Sequence, residues 1–367
     1  ATMVTAGVYM VARFNFLYIE IESIGLFIAY IGAFSALLAA LIATRQTDIK
    51  KILAYSTMSQ LGYMFIAVGL GFYSTGLFHV FTHAFFKAML FMGAGGIIIA
   101  LHHEQNIFKI AQHRASLPII GTTFLIGVIA ISGIPPFSGF FSKDAILAAA
   151  YQEGQYLIYA MAMFTAFLTA FYMFRMYFIL FVAPNKHDKD YVYTSKTITI
   201  PLVILAVGAI FAGFLNLPSV FGGHHLVDTW LAQLNSKTIT LSHSTEYVLI
   251  FASVFIALAG IIVAYNKYAN FDVYKPEDEK GIIGNKFFID EIYDLLFVKT
   301  TKGISVIIDK VIDQRIIDAF IMGSTTTFVS IGKFVAKIQN ANVRFYAFTM
   351  LLGMTCIFVY IYSKLGL

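Results

Sequence analysis

Runs of about 20 apolar residues recur along most of the chain and alternate with short polar stretches. At ~1.5 Å per residue, a helix of that length spans the hydrocarbon layer of a membrane. The alternating ~10-residue segments typical of a membrane β-barrel do not appear in this pattern. It predicts an all-α polytopic membrane protein with about nine transmembrane helices, over residues 1–18, 24–44, 51–70, 74–100, 116–150, 156–182, 198–215, 245–265 and 344–364.

The fifth of these runs, 116–150, is too long for one straight span. As a single helix it would extend ~50 Å, whereas the hydrocarbon layer is only ~30 Å thick. Pro135 and Pro136 remove backbone donors, and Gly133 and Gly139 loosen the chain. We therefore predict one discontinuous helix with a break near 133–139 at membrane depth, an arrangement that transporters use.

Residues 287–341 depart from the pattern of membrane spans. Apolar residues from Ile292 to Phe320 alternate at helical spacing with charged residues of both signs. This predicts a long amphipathic helix, ~80 Å if uninterrupted, although the polar stretch 323–327 is a candidate bend. Such a helix either lies along lipid headgroups or straps neighbouring subunits together. The mixed charge favours the strap, because a lipid-binding helix is predominantly basic.

Composition supports a membrane location. The chain is 59% hydrophobic and 12% charged, with a mean hydropathy of +0.78, against roughly 25% charged residues in soluble domains. The net charge of +5 is explained by basic loops, so nucleic acid is not an expected partner. The single cysteine, Cys356, lies in an apolar run and excludes a disulfide within the chain.

The basic residues fall mainly on one side when the spans are alternated across the bilayer. By the positive-inside rule that side is cytoplasmic, with the lateral helix 287–341 on it and the C-terminus on the periplasmic side. The residues placed on the basic side are Arg45, Lys50, Lys51, Lys109, Arg114, Lys186, Lys189, Lys196 and Lys267, against Arg13, Lys237 and Lys364 on the other.

Three ionisable residues lie inside an apolar segment, where charge is least expected. His79, His83 and Lys87 follow one another at intervals of four, so they stack on one helix face ~6 Å apart. An ionisable group at bilayer depth costs ~2.5–3.5 kcal/mol and usually marks an ion pathway. Imidazole donates through one nitrogen and accepts through the other, so a proton can pass along the row. The plainer alternative is that the histidines bond to neighbouring helices and Lys87 extends to the interface.

Lys143 and Asp144 form a second ionisable pair, just after the predicted helix break. The start of a helix is electropositive, which favours the Asp144 carboxylate and disfavours a protonated Lys143. A movement of Asp144 or a neighbouring chain would then change the proton affinity of Lys143. The alternative is an ordinary ion pair at the membrane surface.

Other polar groups carry weaker signals. Ser56, Thr57, Ser59, Gln60 and Tyr63 cluster in one span, where they join helices or hold water, and joining helices is the favoured interpretation. The pairs His102-His103 and His224-His225 lack further clustered ligands, so no metal site is predicted. No nucleotide-binding glycine motif or cysteine cluster for iron–sulfur centres is present in the sequence, so no cofactor is expected in this chain.

Four segments resemble one protein family. They are Ala1-Thr-Met-Val-Thr-Ala-Gly-Val-Tyr9, Thr47-Asp-Ile-Lys-Lys-Ile-Leu-Ala-Tyr-Ser-Thr-Met-Ser-Gln-Leu-Gly-Tyr63, His79-Val-Phe-Thr-His-Ala-Phe-Phe-Lys87 and Gly139-Phe-Phe-Ser-Lys-Asp144. In this order they are similar to the antiporter-like subunits of the L type in bacterial NADH:quinone oxidoreductase, respiratory complex I. The resemblance covers the chain, strongly over about 1–150 and by architecture beyond.

The resemblance implies two inverted five-helix repeats, further helices, a lateral helix and a final span. It assigns 1–20 to the last helix of a first repeat, 24–182 to the second repeat, 198–265 to additional spans, 287–341 to the lateral helix and 344–364 to a C-terminal anchor. The first repeat would supply a glutamate–lysine pair that is missing here. We therefore expect the chain to be the C-terminal portion of a longer protein.

The resemblance also implies roles. Lys87 would be the central proton carrier, His79 and His83 its connection to the axis, Lys143 the exit lysine and Asp144 its acidic neighbour. FMN, iron–sulfur clusters and quinone would reside in other subunits, and the lateral helix would contact other membrane-arm subunits in a bacterial inner membrane. A Mrp-type sodium/proton antiporter subunit and a structural strap without transport remain alternatives.

Overall fold

The computed structural model describes residues 2–112, 117–184, 195–223, 225–270, 281–339 and 341–365. Over these ranges the chain is helical, and its extended pairing is limited to two isolated bridges. It divides into two units, Ala1–Phe287 and Phe288–Leu367. Arg114, Lys186, Lys189 and His224, which entered the predictions above, lie outside the described residues.

The first unit is a bundle of helices. Its helices are α1 (Thr2–Arg13), α2 (Asn15–Ile19), α3 (Glu22–Ala43), α4 (Ile49–Gly69), α5 (Tyr73–Ala100), α6 (Ile107–Gln112), α7 (Pro118–Ser132), α8 (Ser138–Gln152), α9 (Tyr156–Tyr177), α10 (Lys196–Phe211), α11 (Leu226–Trp230) and α12 (His243–Tyr268). A π-helical turn, Phe178–Val182, extends α9, and 3₁₀ turns follow at Ala212–Leu215, Ser219–Phe221 and Ala232–Leu234.

Seven described helices are long and apolar enough to cross a membrane: α3, α4, α5, α9 with its π turn, α10 with its 3₁₀ turn, α12 and Val343–Leu365 of the second unit. These match seven of the nine predicted spans to within a few residues. The first predicted span, 1–18, is two shorter helices, α1 and α2, so it is not one long helix.

The predicted break in 116–150 is confirmed. The first half, α7, ends at Ser132, and Gly133 continues it in the left-handed conformation (φ 77°). A residue without a Cβ adopts this conformation without strain, which makes it a common helix terminator. The second half, α8, begins at Ser138. Five residues of irregular backbone therefore lie between two short helices, inside a bundle of long ones.

Close packing of α3 on α4 depends on glycine. An added Cβ on Gly62 would lie 2.5 Å from the carbonyl oxygen of Gly32, and one on Gly69 would lie 2.6 Å from the backbone nitrogen of Ala29. Membrane helices associate through such small residues because lipid gives no hydrophobic drive between helices. The contact holds α4, which carries many of the buried polar side chains, against the rest of the bundle.

One end of the bundle, which we call the basic end, contains the loops 44–48 and 101–106. The loops pair through two backbone hydrogen bonds, from Ile49 to Gln105 (3.0 Å) and from Ile107 to Thr47 (2.8 Å). The buried Arg175 donates to the Gln46 carbonyl (2.8 Å) and lies against the Phe108 and Tyr268 rings. The guanidinium thus joins α9 to the loop 44–48, to α6 and to α12.

The second unit contains two helical stretches. The first is continuous from Ile289 to Ile338, as α13 (Ile289–Tyr293), a π turn (Asp294–Lys299), α14 (Thr300–Ile308), a π segment (Asp309–Asp318) and α15 (Ala319–Ile338). The polar stretch 323–327 lies within α15 and does not interrupt it. The second stretch is α16, Val343–Leu365. A long amphipathic helix and a final span are therefore present as predicted.

The glycine contact between α3 and α4 gives a test of the fold. We expect Gly62→Ala to lower the free energy of unfolding by about 1–3 kcal/mol, because its methyl group overlaps backbone atoms that cannot rotate away. The measurement is the thermal unfolding midpoint of the detergent-solubilised protein. Gly95→Ala is the matched control, since nothing lies within 4 Å of its added Cβ. Equal midpoints for both variants would contradict the packing described.

Candidate functional site

The row of ionisable residues predicted on α5 faces the interior of the bundle. His79, His83 and Lys87 are 1%, 2% and 2% exposed, and the two imidazole rings are 6.3 Å apart. Their spacing of four residues places them on one face, as predicted. The alternative in which Lys87 extends to the membrane interface is excluded by its burial.

Lys87 is held by a hydroxyl and an aromatic ring. Its ammonium donates a hydrogen bond to Ser56 of α4, which in turn donates to the Leu53 carbonyl (2.8 Å). The Phe91 ring lies one turn further along α5, with its centroid 5.6 Å from the Lys87 Nζ. Such a ring face attracts a cation. These contacts partly replace the water that the Lys87 amine loses on burial. Neither contact is with a negatively charged group.

His79 connects three helices through both ring nitrogens. Its Nδ1 lies 2.9 Å from the Ser142 hydroxyl of α8, and its Nε2 lies 3.0 Å from the Gln60 side-chain oxygen of α4. The Ser142 hydroxyl is also 2.7 Å from the Thr82 hydroxyl of α5. An imidazole accepts at one nitrogen while donating at the other, and hydroxyls do both, so this cluster can pass a proton in either direction.

Lys143 and Asp144 lie in the second turn of α8, beside the helix break. The Lys143 Nζ is 3.5 Å from the Ser132 carbonyl oxygen at the end of α7 and 5.4 Å from the centroid of the Tyr63 ring. Asp144 accepts a hydrogen bond from Ser253 of α12 (2.9 Å). The side chains are 2% and 9% exposed. They are therefore buried groups with separate partners, and a surface ion pair is excluded.

The position of Lys143 changes the argument made from the helix start. It is the sixth residue of α8, and the field of a helix end falls off within the first turn. The dipole of α8 therefore acts less on Lys143 than the sequence suggested. The Ser132 carbonyl is the nearer influence, because the end of α7 leaves such oxygens without helical donors.

Several buried polar atoms near these residues have no hydrogen-bond partner in the protein. They are Gln60 Nε2, His83 Nε2 and Ser138 Oγ, on α4, α5 and α8. Buried polar atoms are nearly always satisfied by protein or by ordered water. The region between the two lysines is thus lined by groups suited to hold water.

The structure brings together all five residues singled out from the sequence and adds others. Ser142, Thr82 and Gln60 link His79 to two helices, and Ser253 contacts Asp144. Gln60 belongs to the polar cluster predicted on α4, and Ser142 directly precedes Lys143, so a place for both near the site could be anticipated from the sequence. Ser253 is a lone serine in an apolar span, and no sequence pattern distinguishes it.

Comparison with known proteins places this arrangement in a family. A family model described as NADH:quinone oxidoreductase/Mrp antiporter, TM, matches residues 1–169. The NADH-quinone oxidoreductase subunit L of Escherichia coli (strain K12) is 38% identical, over 83% of this chain and 49% of that protein. The NAD(P)H-quinone oxidoreductase subunit 5 of Paulinella chromatophora is 35% identical, over 100% of this chain and 60% of that protein.

Two solved structures share the fold. The Mrp complex from Dietzia sp. DQ12-45-1b matches 98% of this chain and 37% of its own, with a TM-score of 0.56 and 19% identity. The membrane-bound sulfane sulfur reductase, an archaeal respiratory membrane complex, matches 67% of this chain and 49% of its own, with a TM-score of 0.56 and 28% identity.

The chain spans about half to three-fifths of the length of the curated relatives it matches. The matched family segment contains the α5 row and the helix break with Lys143 and Asp144. The chain is an all-α, multi-pass membrane protein and belongs to the family of antiporter-like membrane subunits to which subunit L of NADH-quinone oxidoreductase belongs.

Proposed function

We propose that this chain moves protons across a membrane as an antiporter-like subunit of an NADH:quinone oxidoreductase. One observation carries the proposal. Two lysines and two histidines, all buried, lie in one polar region that crosses from α5 to α8 through the centre of an apolar bundle. Charged side chains at this depth are costly and are usually retained for transport.

The proposed route runs from Lys87 through His83 and His79 to Lys143. The Ser142 hydroxyl joins it where α5 meets α8, since it contacts both His79 and Thr82. The buried polar atoms without protein partners line the same region and support water between the larger steps. A proton then moves by exchange of hydrogen bonds, without any charged side chain crossing the membrane.

Each group has a distinct part in this proposal. Lys87 holds the proton at the middle of the bundle, and the histidines transfer it because an imidazole accepts a proton at one ring nitrogen while it donates one from the other. Lys143 receives it beside the helix break, and Asp144 stands between Lys143 and the end of the bundle opposite the basic end. The break matters because it leaves carbonyl oxygens free to hold a cation.

We further propose how the parts of the chain serve the assembly. Residues 24–182 form one five-helix repeat, 1–20 the last helix of another, 198–265 additional spans and 344–364 an anchor. The lateral helix 287–341 contacts other membrane-arm subunits on the cytoplasmic side of a bacterial inner membrane, with the C-terminus on the periplasmic side. Quinone reduction, with FMN and iron–sulfur clusters, occurs in other subunits and supplies the energy. The exposed apolar side chains of the lateral helix support this, since an exposed apolar stripe marks a protein or membrane contact.

A sodium/proton antiporter of the Mrp type is the second candidate. The description of the matched family names both assemblies, and the same buried lysines and histidines would serve either. The two functions differ in their partners and in the coupling ion.

The two lysines give the first functional test. Lys87→Ala and Lys143→Ala should each abolish or sharply lower NADH-driven proton pumping in the reconstituted complex, because each removes a proton carrier. Pumping is measured as protons moved per NADH with a pH-sensitive dye in proteoliposomes. Lys109→Ala, at an exposed lysine of α6, is the control. A normal proton-to-electron ratio in both buried variants would refute the proposal.

The Ser142 hydroxyl, which joins α8 to α5, gives a second test. Ser142→Ala should slow pumping about 5-fold, the equivalent of losing a hydrogen bond worth ~1 kcal/mol at the step between His79 and α8. Thr123→Val is the matched control, because the buried Thr123 hydroxyl of α7 bonds to the Ile119 and Ile120 carbonyls of its own helix region and lies outside the proposed route. If the two variants pump equally fast, the route does not pass Ser142.

Co-purification separates the two assemblies. We expect the affinity-tagged protein to isolate with flavin and iron–sulfur absorbance and to support NADH oxidation. Sodium-dependent proton exchange without those chromophores would favour the Mrp-type antiporter instead. A strap without transport would tolerate both lysine substitutions but lose assembly when 287–367 is deleted.

A further inference from the structure

A cavity of about 230 Å³ lies against Asp144, at the end of the bundle opposite the basic end. Its walls come from α5 through Thr75, from α8 through Asp144 and Ala145, from α12 through Glu246, and from the connection 216–242. This connection joins α10 to α12 and lies beyond the five helices of the proposed repeat. The volume holds several waters, because a single water needs only ~10–15 Å³ of such space.

The carboxylates and the imidazole that line this cavity differ in their exposure. Asp144 and Glu246 are 9% and 8% exposed, whereas the side chains of Asp228 and His225 are 26% and 47% exposed and lie 3.4 Å apart. Asp144 therefore faces a cavity in which Glu246 is buried, whereas Asp228 and His225 are partly open to solvent.

One helix face links the inner and outer parts of the cavity. Glu246 and Ser253 are two turns apart on α12 and so share a face, ~10 Å apart along the axis. The Ser253 hydroxyl donates to Asp144 (2.9 Å), and Glu246 lines the cavity. Asp144 and Glu246 line the same cavity, so waters within it can join the two carboxylates.

The outer wall is fastened to the bundle by hydrogen bonds. Lys237 donates from its backbone to Gly71 (3.0 Å) and from its side chain to Glu153 (2.7 Å). The Gln152 side chain donates to the Thr238 carbonyl (3.0 Å) and accepts from the Thr240 amide (2.7 Å). The segment that closes the cavity is thus tied to the α4–α5 turn and to the end of α8, which keeps the space in place.

We infer that this cavity is the outlet through which protons leave Asp144, and that Glu246 followed by the His225–Asp228 pair relays them to the aqueous face. The inference rests on the proposed function and adds to it residues outside the five-helix repeat. In each step a carboxylate or imidazole accepts a proton from water on the inner side and gives one to water on the outer side. Charge balances because the group returns to its starting state.

Access to the cavity is tested without reference to pumping. In the assembled complex with Cys356→Ser, Ala145→Cys should react with a membrane-impermeant cationic methanethiosulfonate applied from the outer face. It should react roughly ten-fold faster than Ala149→Cys, because a thiol reacts as an exposed thiolate. Ala149 lies on the same helix but is 0% exposed in the apolar core. The extent of reaction is read from the mass of the separated subunit.

The relay is tested by pumping. Glu246→Gln should lower protons pumped per NADH roughly two-fold or more, with waters carrying the remainder. Glu20→Gln, an exposed carboxylate at the same end, should leave pumping unchanged. Normal pumping by Glu246→Gln, or labelling of Ala145→Cys only from the inner face, would overturn the inference. Neither result affects the proposed function, which fails instead if Lys87→Ala and Lys143→Ala both pump normally.

Discussion

The burial of two lysine amines, each charged when it carries a proton, is the constraint on which the rest of this structure depends. Removing such a group from water costs several kcal/mol even after the protein relaxes. For Lys87 the cost is offset by the Ser56 hydroxyl and the Phe91 ring, and for Lys143 by the Ser132 carbonyl and the Tyr63 ring. All four are dipoles or ring faces. They hold a cation well enough to keep it buried and weakly enough to let its proton leave.

The break between α7 and α8 is the backbone feature that accommodates one of the two buried lysines, Lys143. A continuous helix would use the Ser132 carbonyl in its own hydrogen bonds, whereas ending α7 at that residue frees the oxygen for Lys143. The close approach of the two halves needs glycine, because an added Cβ on Gly139 would lie 2.0 Å from the Ala130 carbonyl oxygen. The same few residues therefore end one helix, start the next and create the site for the lysine.

Much of this arrangement follows from sequence because the membrane restricts the choices. Apolar length sets the long helices, the proline pair sets the break, and the spacing of four sets the face that His79, His83 and Lys87 share. Contacts between helices distant in sequence are different. Ser253 is 109 residues from Asp144, and the cavity wall around Glu246 comes from a connection whose polar residues resemble any surface loop. Such pairings depend on how helices pack, which no local pattern encodes.

Neither buried lysine forms a contact ion pair within the described ranges, which explains how such a site can respond to events elsewhere. A lysine locked to a carboxylate at contact distance would be governed by that partner alone. For a lysine held only by dipoles, a unit charge ~10 Å away contributes ~1.7 kcal/mol at an effective dielectric constant of ~20, against ~0.4 kcal/mol in water. The larger value exceeds a tenfold change in an equilibrium constant. A charge that appears in a neighbouring helix or subunit is therefore enough to load or unload the buried amine, and no large movement of the bundle is required.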